Sequence, residues 1–339
     1  MSLAAAQNPI NPTEALCFIY NNAKGTSGVT NLAVMRKGLG NRPDPPFRDY
    51  NYESTLPLSD PAGLDIAYYA GAPRVFGFVD YQTGDGSSKE TDPPERVIYQ
   101  LSPTVTPIDG LQASGSLVKG FFTGVIAAAY TQDGETAYIF ALTGTSNDSP
   151  AKLVFYTLST GDPYASEIEI KADYESQLGA VVMRDTSEPR HFFQLQDDKN
   201  VIQWGEVETK KVGTIPKSKV KISENSPIAL IHDRTSDSDE ELPNLFLYYV
   251  DKDSNRIYRA KYTYSSGEED VSEDDRWETG IERYREPLRA GWRWIRPVVY
   301  EPGKATLFYY NEQNEFNPLD DDLNAGSKNP ARKVPKDDA

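Results

Sequence analysis

Two similar stretches at opposite ends of the sequence decide the fold. Ala15-Leu-Cys-Phe-Ile-Tyr-Asn-Asn22 nearly superposes on Ala305-Thr-Leu-Phe-Tyr-Tyr-Asn-Glu312. Each is a short run of aromatic and aliphatic residues that ends in polar residues, which is typical of a β-strand followed by a turn. Self-similarity within one chain indicates a repeat architecture such as a propeller or a solenoid.

Four further units fit between these two stretches. Aligning the second strand of each unit places six residues in equivalent positions, at gaps of 57, 64, 52, 56 and 61 residues: Cys17, Arg74, Tyr138, Arg190, Phe246 and Leu307. A run of small and aliphatic residues precedes most of these strands, at residues 66–69, 125–130, 180–183, 228–231 and 297–300. A third strand follows at residues 96–100, 152–157, 200–204 and 256–259. We therefore predict an all-β fold, a six-bladed β-propeller with about four antiparallel strands per blade.

The predicted domain limits follow from the repeat. Residues 1–317 are expected to form a single propeller domain, with residues 2–6 as the inner strand of the first blade. Residues 318–339 are polar and charged, and we expect them to form a disordered tail. Two acidic blocks, residues 237–241 and 268–275, are interpreted as solvated loops.

Composition excludes several classes of partner. The 339 residues carry 35 Lys and Arg against 51 Asp and Glu, a net charge of −16, which disfavours binding to nucleic acid or to an anionic membrane surface. No apolar run approaches the roughly 18 residues that a membrane span needs. The first ten residues lack the basic and apolar parts of a signal peptide, so we expect a cytoplasmic location. The oligomeric state stays open, a homodimer included.

Motifs for common enzyme chemistry are absent from the sequence. The two histidines, His191 and His232, and the single cysteine, Cys17, are too few for a zinc site of the Cys/His type. There is no Gly-x-Ser-x-Gly elbow, P-loop or dinucleotide-binding fingerprint. We therefore expect neither a metal nor a cofactor. Cys17 lies in an apolar strand and is interpreted as a core residue.

The unit pattern resembles the fungal fucose-binding lectins, which are six-bladed propellers. The shared pattern is an inner strand of the Ile-Ala-Ala type, an Arg-x-aromatic-aromatic second strand, and a hairpin into an Ile-x-Gln or Ile-x-Glu third strand. In that family an arginine of strand two and a Glu or Gln of strand three hydrogen-bond the sugar, and an aromatic ring stacks on it. The resemblance implies that Arg190 with Gln203, and Arg74 with Gln100, keep this pair, with Tyr99 as the alternative to Gln100 at the second position.

The other four equivalent positions hold Cys, Tyr, Phe and Leu, which cannot replace a guanidinium that binds a polyol. With these apolar replacements the chain also resembles fungal hetero-Diels–Alderases, lectin-like enzymes that join a tropolone-type quinone methide to a macrocyclic sesquiterpene. That resemblance implies a cofactor-free pericyclase of fungal natural-product biosynthesis, with Arg190, Gln203 and Arg74 as catalytic hydrogen-bond donors. Such a reaction needs two apolar substrates held together and donors aimed at a carbonyl oxygen. The substrate-binding candidates are Tyr68, Phe122, Tyr130, His232, Trp292 and Trp294.

The alternatives stay open at this point. The alternative to the pericyclase is a fucose- or other glycan-binding lectin with one or two surviving sites, and a third hypothesis is a non-catalytic scaffold whose acidic loops contact a basic partner. Arg74 and Arg190 fit a structural salt bridge as well as a site, and packing between blades accounts equally for Trp292 and Trp294. His232 fits a satisfied structural histidine. We interpret Trp204 and Trp277 as rim aromatics.

Overall fold

The structure is a computed structural model that describes residues 2–21, 31–40, 42–45, 49–52, 58, 63–81, 95–103, 106–108, 125–143, 151–159, 164–173, 175–233, 242–264, 271–284, 294–310, 316–326 and 332–333. In these ranges the regular secondary structure consists of strands, without a helix. The strands form six sheets of four, and within each sheet the strands are neighbours in chain order. These sheets confirm the all-β class and the six repeating units of about four strands.

Sheets 1 to 3 use residues 2–172. Sheet 1 contains β1 (Ser2–Gln7), β2 (Glu14–Asn21), β3 (Asn31–Gly38) and β4 (Asp49–Tyr52). Sheet 2 contains β5 (Asp65–Tyr69), β6 (Ala72–Tyr81), β7 (Glu95–Ser102) and β8 (Thr106–Pro107). Sheet 3 contains β9 (Ile126–Tyr130), β10 (Thr136–Thr143), β11 (Ala151–Ser159) and β12 (Tyr164–Ala172).

Sheets 4 to 6 use residues 178–333. Sheet 4 contains β13 (Leu178–Val182), β14 (Pro189–Gln194), β15 (Ile202–Glu206) and β16 (Val212–Thr214). Sheet 5 contains β17 (Ala229–His232), β18 (Leu245–Val250), β19 (Ile257–Tyr262) and β20 (Ile281–Glu282). Sheet 6 contains β21 (Ile295–Glu301), β22 (Lys304–Tyr310), β23 (Phe316–Asp322) and β24 (Arg332–Lys333).

The last sheet extends beyond the predicted end of the domain. We expected disorder from residue 318 onward, but β23 continues to Asp322 and β24 lies further along the chain. The polar composition was misleading because the acidic residues of β23 include Asp321, whose side chain is buried and ion-paired. The boundary after residue 317 is therefore wrong.

Contacts divide the chain into two compact units. One consists of Met1–Ala4, Cys17–Met35 and Arg48–Glu175, and the other of Ala5–Leu16, Arg36–Phe47 and Ser176–Ala339. In the first unit, apolar side chains of sheets 2 and 3 form one core, which includes Phe76, Phe78, Ile139 and Tyr156. In the second unit, one core lies between sheets 4 and 5 and another between sheets 5 and 6.

The inner strands of the second unit pack closely, β13 against β17 and β17 against β21. A Cβ added at Gly179 on β13 would lie 2.6 Å from a Leu230 methyl group and 2.7 Å from an Ile228 methyl group. Real side chains do not approach this closely, so the contact requires glycine. Close packing of the inner strands therefore explains why a small residue occupies this position.

A buried ion cluster joins sheets 5 and 6. Asp321 accepts hydrogen bonds from Arg259 Nη1 (2.8 Å), Arg283 Nε (2.6 Å) and the Tyr248 hydroxyl (2.7 Å). The side chains of Arg259, Arg283 and Asp321 are 3%, 0% and 0% exposed. Both arginines also donate to carbonyl oxygens within residues 322–326. The cluster therefore fixes the chain that follows β23 against sheet 5.

We predict that Asp321→Ala lowers the free energy of unfolding by about 3 to 5 kcal/mol, because two buried guanidiniums lose their carboxylate. Urea unfolding at pH 7 measures the change. Asp322→Ala is the matched control, since the side chain of the neighbouring residue is exposed, and we expect it to cost less than about 1 kcal/mol. Equal losses in the two variants would contradict the role assigned to Asp321.

Candidate functional site

Arg190 lies on β14, a strand in which every residue is buried. Its Nη2 donates to Glu206 Oε1 at 2.6 Å, and its Nη1 donates to Glu273 Oε1 at 2.5 Å. Glu206 belongs to β15 in the same sheet, whereas Glu273 lies in the segment between β19 and β20 of sheet 5. A buried cation is stable only with such partners, so Arg190 forms a salt bridge between two sheets.

Aromatic rings and charges hold Arg190 in its ionised form. The guanidinium carbon lies 4.0 Å from the centre of the Trp204 ring, a cation–π contact. Burial alone would lower the pKa of Arg190, but the charges of Glu273 and Glu206 raise this pKa above its usual range. Burial also opposes ionisation of Glu206, yet hydrogen bonds from Thr209 and Arg190 keep the pKa of its carboxyl below the ordinary value. Arg190 and Glu206 are therefore both charged at neutral pH.

The residue opposite Arg190 is Glu206 and not Gln203. In the β14–β15 ladder Arg190 pairs with Glu206, while Gln203 pairs with Phe193. Successive side chains of a strand point to opposite faces, so Gln203 and Glu206 lie on different faces of sheet 4. The predicted Arg190–Gln203 pair is therefore wrong. Arg190 and Glu206 each lie eight positions from Asp198 in the turn. Counting outward from that turn would therefore have predicted Glu206 as the partner of Arg190.

Two tryptophans that we expected at the rim lie in the core instead. Trp204 is 6% exposed under the Arg190 guanidinium, and Trp277 is 1% exposed. Trp277 makes edge contacts with Tyr262 at 5.1 Å and with Phe192 at 6.4 Å between ring centres. The surrounding side chains therefore shield the rings of Trp204 and Trp277 from solvent.

Arg74 on β6 has a different environment. Its Nε donates to the Tyr69 carbonyl oxygen at 3.0 Å and its Nη1 to Gln100 Oε1 at 2.8 Å, so the predicted contact with Gln100 is present. The guanidinium lies 5.2 Å from the centre of the Tyr69 ring. Gln100 is 8% exposed, whereas Arg74 is half-buried. No carboxylate among the described residues pairs with Arg74, so its charge is held by neutral groups.

Two tyrosines lie beside the hairpins next to Arg74. The rings of Tyr68 on β5 and Tyr130 on β9 are 6.4 Å apart, and Tyr130 is 44% exposed. The backbone N–H of Ala70 donates to the Gly134 carbonyl oxygen at 2.9 Å, which joins the β5–β6 hairpin to the β9–β10 hairpin. The structure therefore brings Tyr68 and Tyr130 to one end of sheets 2 and 3.

By strand alternation, Arg74 and Tyr130 lie on the faces of sheets 2 and 3 that share one core. Arg74 pairs with Ala67, and Ala67 packs in the core shared with sheet 3. Tyr130 is two residues from Ala128, which packs against the same core from the other side. We define the blade-2 cleft as the side chains of Arg74, Gln100, Tyr69 and Tyr130.

The remaining candidates lie elsewhere or outside the described residues. Trp294 is 8% exposed, so it is a core residue rather than an accessible wall. His232 is half-buried, and its Nε2 lies 2.7 Å from the Tyr264 hydroxyl oxygen, which also accepts the Arg184 N–H at 3.2 Å.

Phe122 and Trp292 lie outside the residues that the structure describes. The structure thus brings Tyr68 and Tyr130 into contact and places Arg74 on the strand next to Tyr68, whereas Arg190, His232 and Trp294 belong to sheets 4 to 6.

The other four positions equivalent to Arg74 and Arg190 do not form open pockets. Cys17, Phe246 and Leu307 are 0%, 1% and 0% exposed, and Tyr138 is half-buried. Tyr138 pairs with Thr157, and Phe246 pairs with Lys261. Neither of these two pairs can reproduce the fork of an arginine beside a carboxylate or amide.

Within the described ranges, no three His, Cys, Asp or Glu side chains are grouped as a metal site would require. The same ranges contain no helix of the length and apolarity needed to cross a membrane.

No family model and no curated protein sequence matches the chain. Solved structures do match. A mutant of AofleA from Arthrobotrys oligospora with three arginines replaced by alanine aligns over 98% of this chain and 86% of that one, at 10% identity and a TM-score of 0.65. The fucose-specific lectin from Aleuria aurantia aligns over 100% and 97%, at 15% identity and a TM-score of 0.61. A second structure of this lectin, whose name states a six-bladed propeller and a novel fucose recognition mode, aligns over 94% and 90%, at 14% identity and 0.58.

The chain has a six-bladed β-propeller fold. Sheets 1 to 6 are its blades, and the resemblance to the fungal fucose-binding lectins is confirmed at the level of the fold. At 15% identity or less, the likeness concerns the arrangement of strands alone. The resemblance to hetero-Diels–Alderases stays a prediction.

A buried histidine makes the stability of the fold depend on pH. His191 on β14 is 2% exposed and stacks on Phe193, and burial lowers its pKa from 6.5 to about 3. Burial likewise lowers the pKa of His232. Because the folded state disfavours the protonated form, the stabilisation is complete above pH 6.5 and is lost as the pH falls towards 3.

We predict that His191→Gln flattens this dependence. Between pH 6 and 5 the buried histidine makes the unfolding free energy fall by up to about 1.4 kcal/mol per pH unit, and the variant removes that contribution. Urea unfolding at pH 8, 7, 6 and 5 measures both proteins, with pH 8 as the reference at which neither form is protonated. Parallel curves for the variant and the wild type would show that His191 is not buried in its neutral form.

Proposed function

We propose that the chain binds a saccharide of the fucose type in the blade-2 cleft. The observation that carries the proposal is Arg74, a half-buried cation fixed by neutral groups and without a carboxylate partner among the described residues. A charge held in this way can donate to a neutral, oxygen-rich ligand. By contrast, the ionic partners of Arg190 already occupy both of its terminal nitrogens.

The geometry of Arg74 suits hydroxyl groups. Nε and one N–H of Nη1 are used internally, which fixes the plane of the guanidinium. The fork retains N–H donors on Nη1 and Nη2, and donors held in one plane can bind two neighbouring hydroxyl oxygens. Gln100 orients the fork because it is buried and accepts from Nη1.

Tyr130 supplies the apolar contact that a sugar ring needs. Its side chain is 44% exposed, and strand alternation puts it on the face of sheet 3 that packs against sheet 2. A tyrosine ring combines a broad apolar face with a polar edge, so it can stack on the C–H face of a saccharide. The likeness of the fold to the Aleuria aurantia lectin, whose name states fucose recognition, also supports this ligand class.

The proposal includes one site and not a ring of sites. Three of the other equivalent positions are core residues, and Arg190 is committed to two carboxylates. Binding should therefore be weak and monovalent with respect to each chain.

We predict that α-methyl-L-fucoside binds with one site per chain and that Arg74→Ala weakens it roughly 10- to 100-fold, the value of one or two charge-assisted hydrogen bonds. Isothermal titration calorimetry at millimolar fucoside measures the stoichiometry and the Kd. Arg256→Ala is the matched control, because that arginine pairs with Glu282 near the surface of sheet 5 and should leave binding unchanged. Absence of binding, or undiminished binding by Arg74→Ala, would contradict the proposal.

A second candidate is the cofactor-free pericyclase. It is favoured by the pair of Tyr68 and Tyr130, whose rings lie 6.4 Å apart, and by Arg74 on the strand next to Tyr68, for which the described residues supply no carboxylate partner. Aromatic walls could hold a quinone methide and a sesquiterpene face to face, and Arg74 could donate to a carbonyl oxygen. In this step three π-bonds of the quinone methide and the alkene would become one C–C bond, one C–O bond and one new π-bond, with no nucleophile and no leaving group.

For this candidate we predict that the protein changes the product stereochemistry when a quinone-methide precursor is incubated with humulene. Tyr130→Ala should lower the rate about 10-fold through loss of positioning, and Arg74→Ala should lower it by roughly 100-fold through loss of a donor. Chiral chromatography of products measures both. Identical racemic mixtures with and without protein would exclude the pericyclase and leave saccharide binding unaffected.

A further inference from the structure

A carboxylate is held between blades 4 and 5 by donors that belong to two different strands. Arg190 Nη1 on β14 donates to Glu273 Oε1 at 2.5 Å, and the Tyr262 hydroxyl on β19 donates to Oε2 at 3.1 Å. Each oxygen of Glu273 therefore has a donor of its own. Such a two-point arrangement recognises the geometry of a carboxylate and not only its charge.

Further donors and charges surround the same position. Arg276 Nη1 donates to the Tyr262 oxygen at 3.2 Å and to Asp185 at 3.4 Å. The Nε groups of Arg190 and Arg276 are buried without a hydrogen-bond partner in the part of the chain that the structure describes. Arg190 thus contacts the Glu273 carboxylate directly and Arg276 is linked to it through the Tyr262 hydroxyl, while Glu206 and Asp185 pair with the two guanidiniums. Removing Glu273 would leave the donors in place without an acceptor.

Glu273 reaches this position from a turn. The Asp275 N–H donates to the Ser272 carbonyl oxygen at 3.0 Å, and the Ser272 hydroxyl donates to the Asp275 carboxylate at 2.7 Å. The side chain of Glu273 is 29% exposed, whereas that of Arg190 is 5% exposed. The donors are therefore built into strands, and the carboxylate approaches them from the solvent side.

We propose that this position is a carboxylate-binding site that the chain fills with its own Glu273. A small carboxylate from solution takes the same place when the Glu273 side chain is absent or displaced. The site is separate from the blade-2 cleft, so it does not depend on saccharide binding. Its ligand class is a small carboxylate that offers one oxygen to Arg190 and the other to Tyr262.

The test is rescue of Glu273→Ala by acetate. We expect this variant to unfold at a lower Tm than the wild type, and sodium acetate to restore at least half of the loss along a saturable curve. Ionic strength is held constant with sodium chloride, so that general salt effects cancel. Tyr262→Phe in the Glu273→Ala background should weaken the apparent acetate affinity several-fold, because one of the two donors is removed.

Two controls separate rescue from a general effect of acetate. Glu273→Gln removes the charge but keeps the position filled, so its Tm should not respond to acetate. Glu278→Ala removes a carboxylate of the same segment that pairs with Lys261 at 3.3 Å in an exposed bridge, and its Tm should respond as the wild type does. If acetate raises the Tm of Glu273→Ala no more than chloride does, the proposal is wrong. If this variant does not purify folded, the yield of refolding with and without acetate decides in the same way.

Discussion

Packing of sheet against sheet is the constraint on which the structure depends. In β14, β18 and β22 the side chains are buried on both faces, with Lys304 at the start of β22 as the exposed exception. A strand covered on both sides does not alternate between apolar and polar residues, which explains runs such as Leu245-Phe-Leu-Tyr-Tyr-Val250. A polar side chain on such a strand is stable only if its partner is buried with it.

The pairs between strands two and three show how this requirement is met. In sheet 4 the arginine is on strand two and the carboxylate on strand three, as Arg190 and Glu206. Sheet 1 reverses the order, because Glu14 on β2 accepts from Nε and Nη2 of Arg36 on β3, each at 2.8 Å. The salt bridge forms whether the arginine is on strand two or on strand three. Packing within the fold therefore explains both bridges without a ligand. Arg74 differs because its side-chain partner is the neutral amide of Gln100, and this difference singles out blade 2.

The sequence predicted the repeat well because the apolar runs survive in all six units. It also predicted the Arg74–Gln100 contact. It failed where strand register decides the outcome, since the predicted partner Gln203 pairs with Phe193, while Glu206, three residues further along β15, pairs with Arg190. It also failed at Trp204 and at β23, because the environment of these residues comes from a neighbouring sheet distant in sequence. The ion pair with Glu273, 83 residues from Arg190, left no local signal at all.

The ion cluster of Asp321 has a consequence for synthesis of the protein on the ribosome. Arg259 and Arg283 precede their carboxylate by 62 and 38 residues, so both emerge well before it. Until Asp321 leaves the exit tunnel, two positive charges destined for an apolar interior lack their counter-ion. Blade 5 therefore cannot complete its packing as the nascent chain grows, and its final folding step waits for the strand that follows it in blade 6.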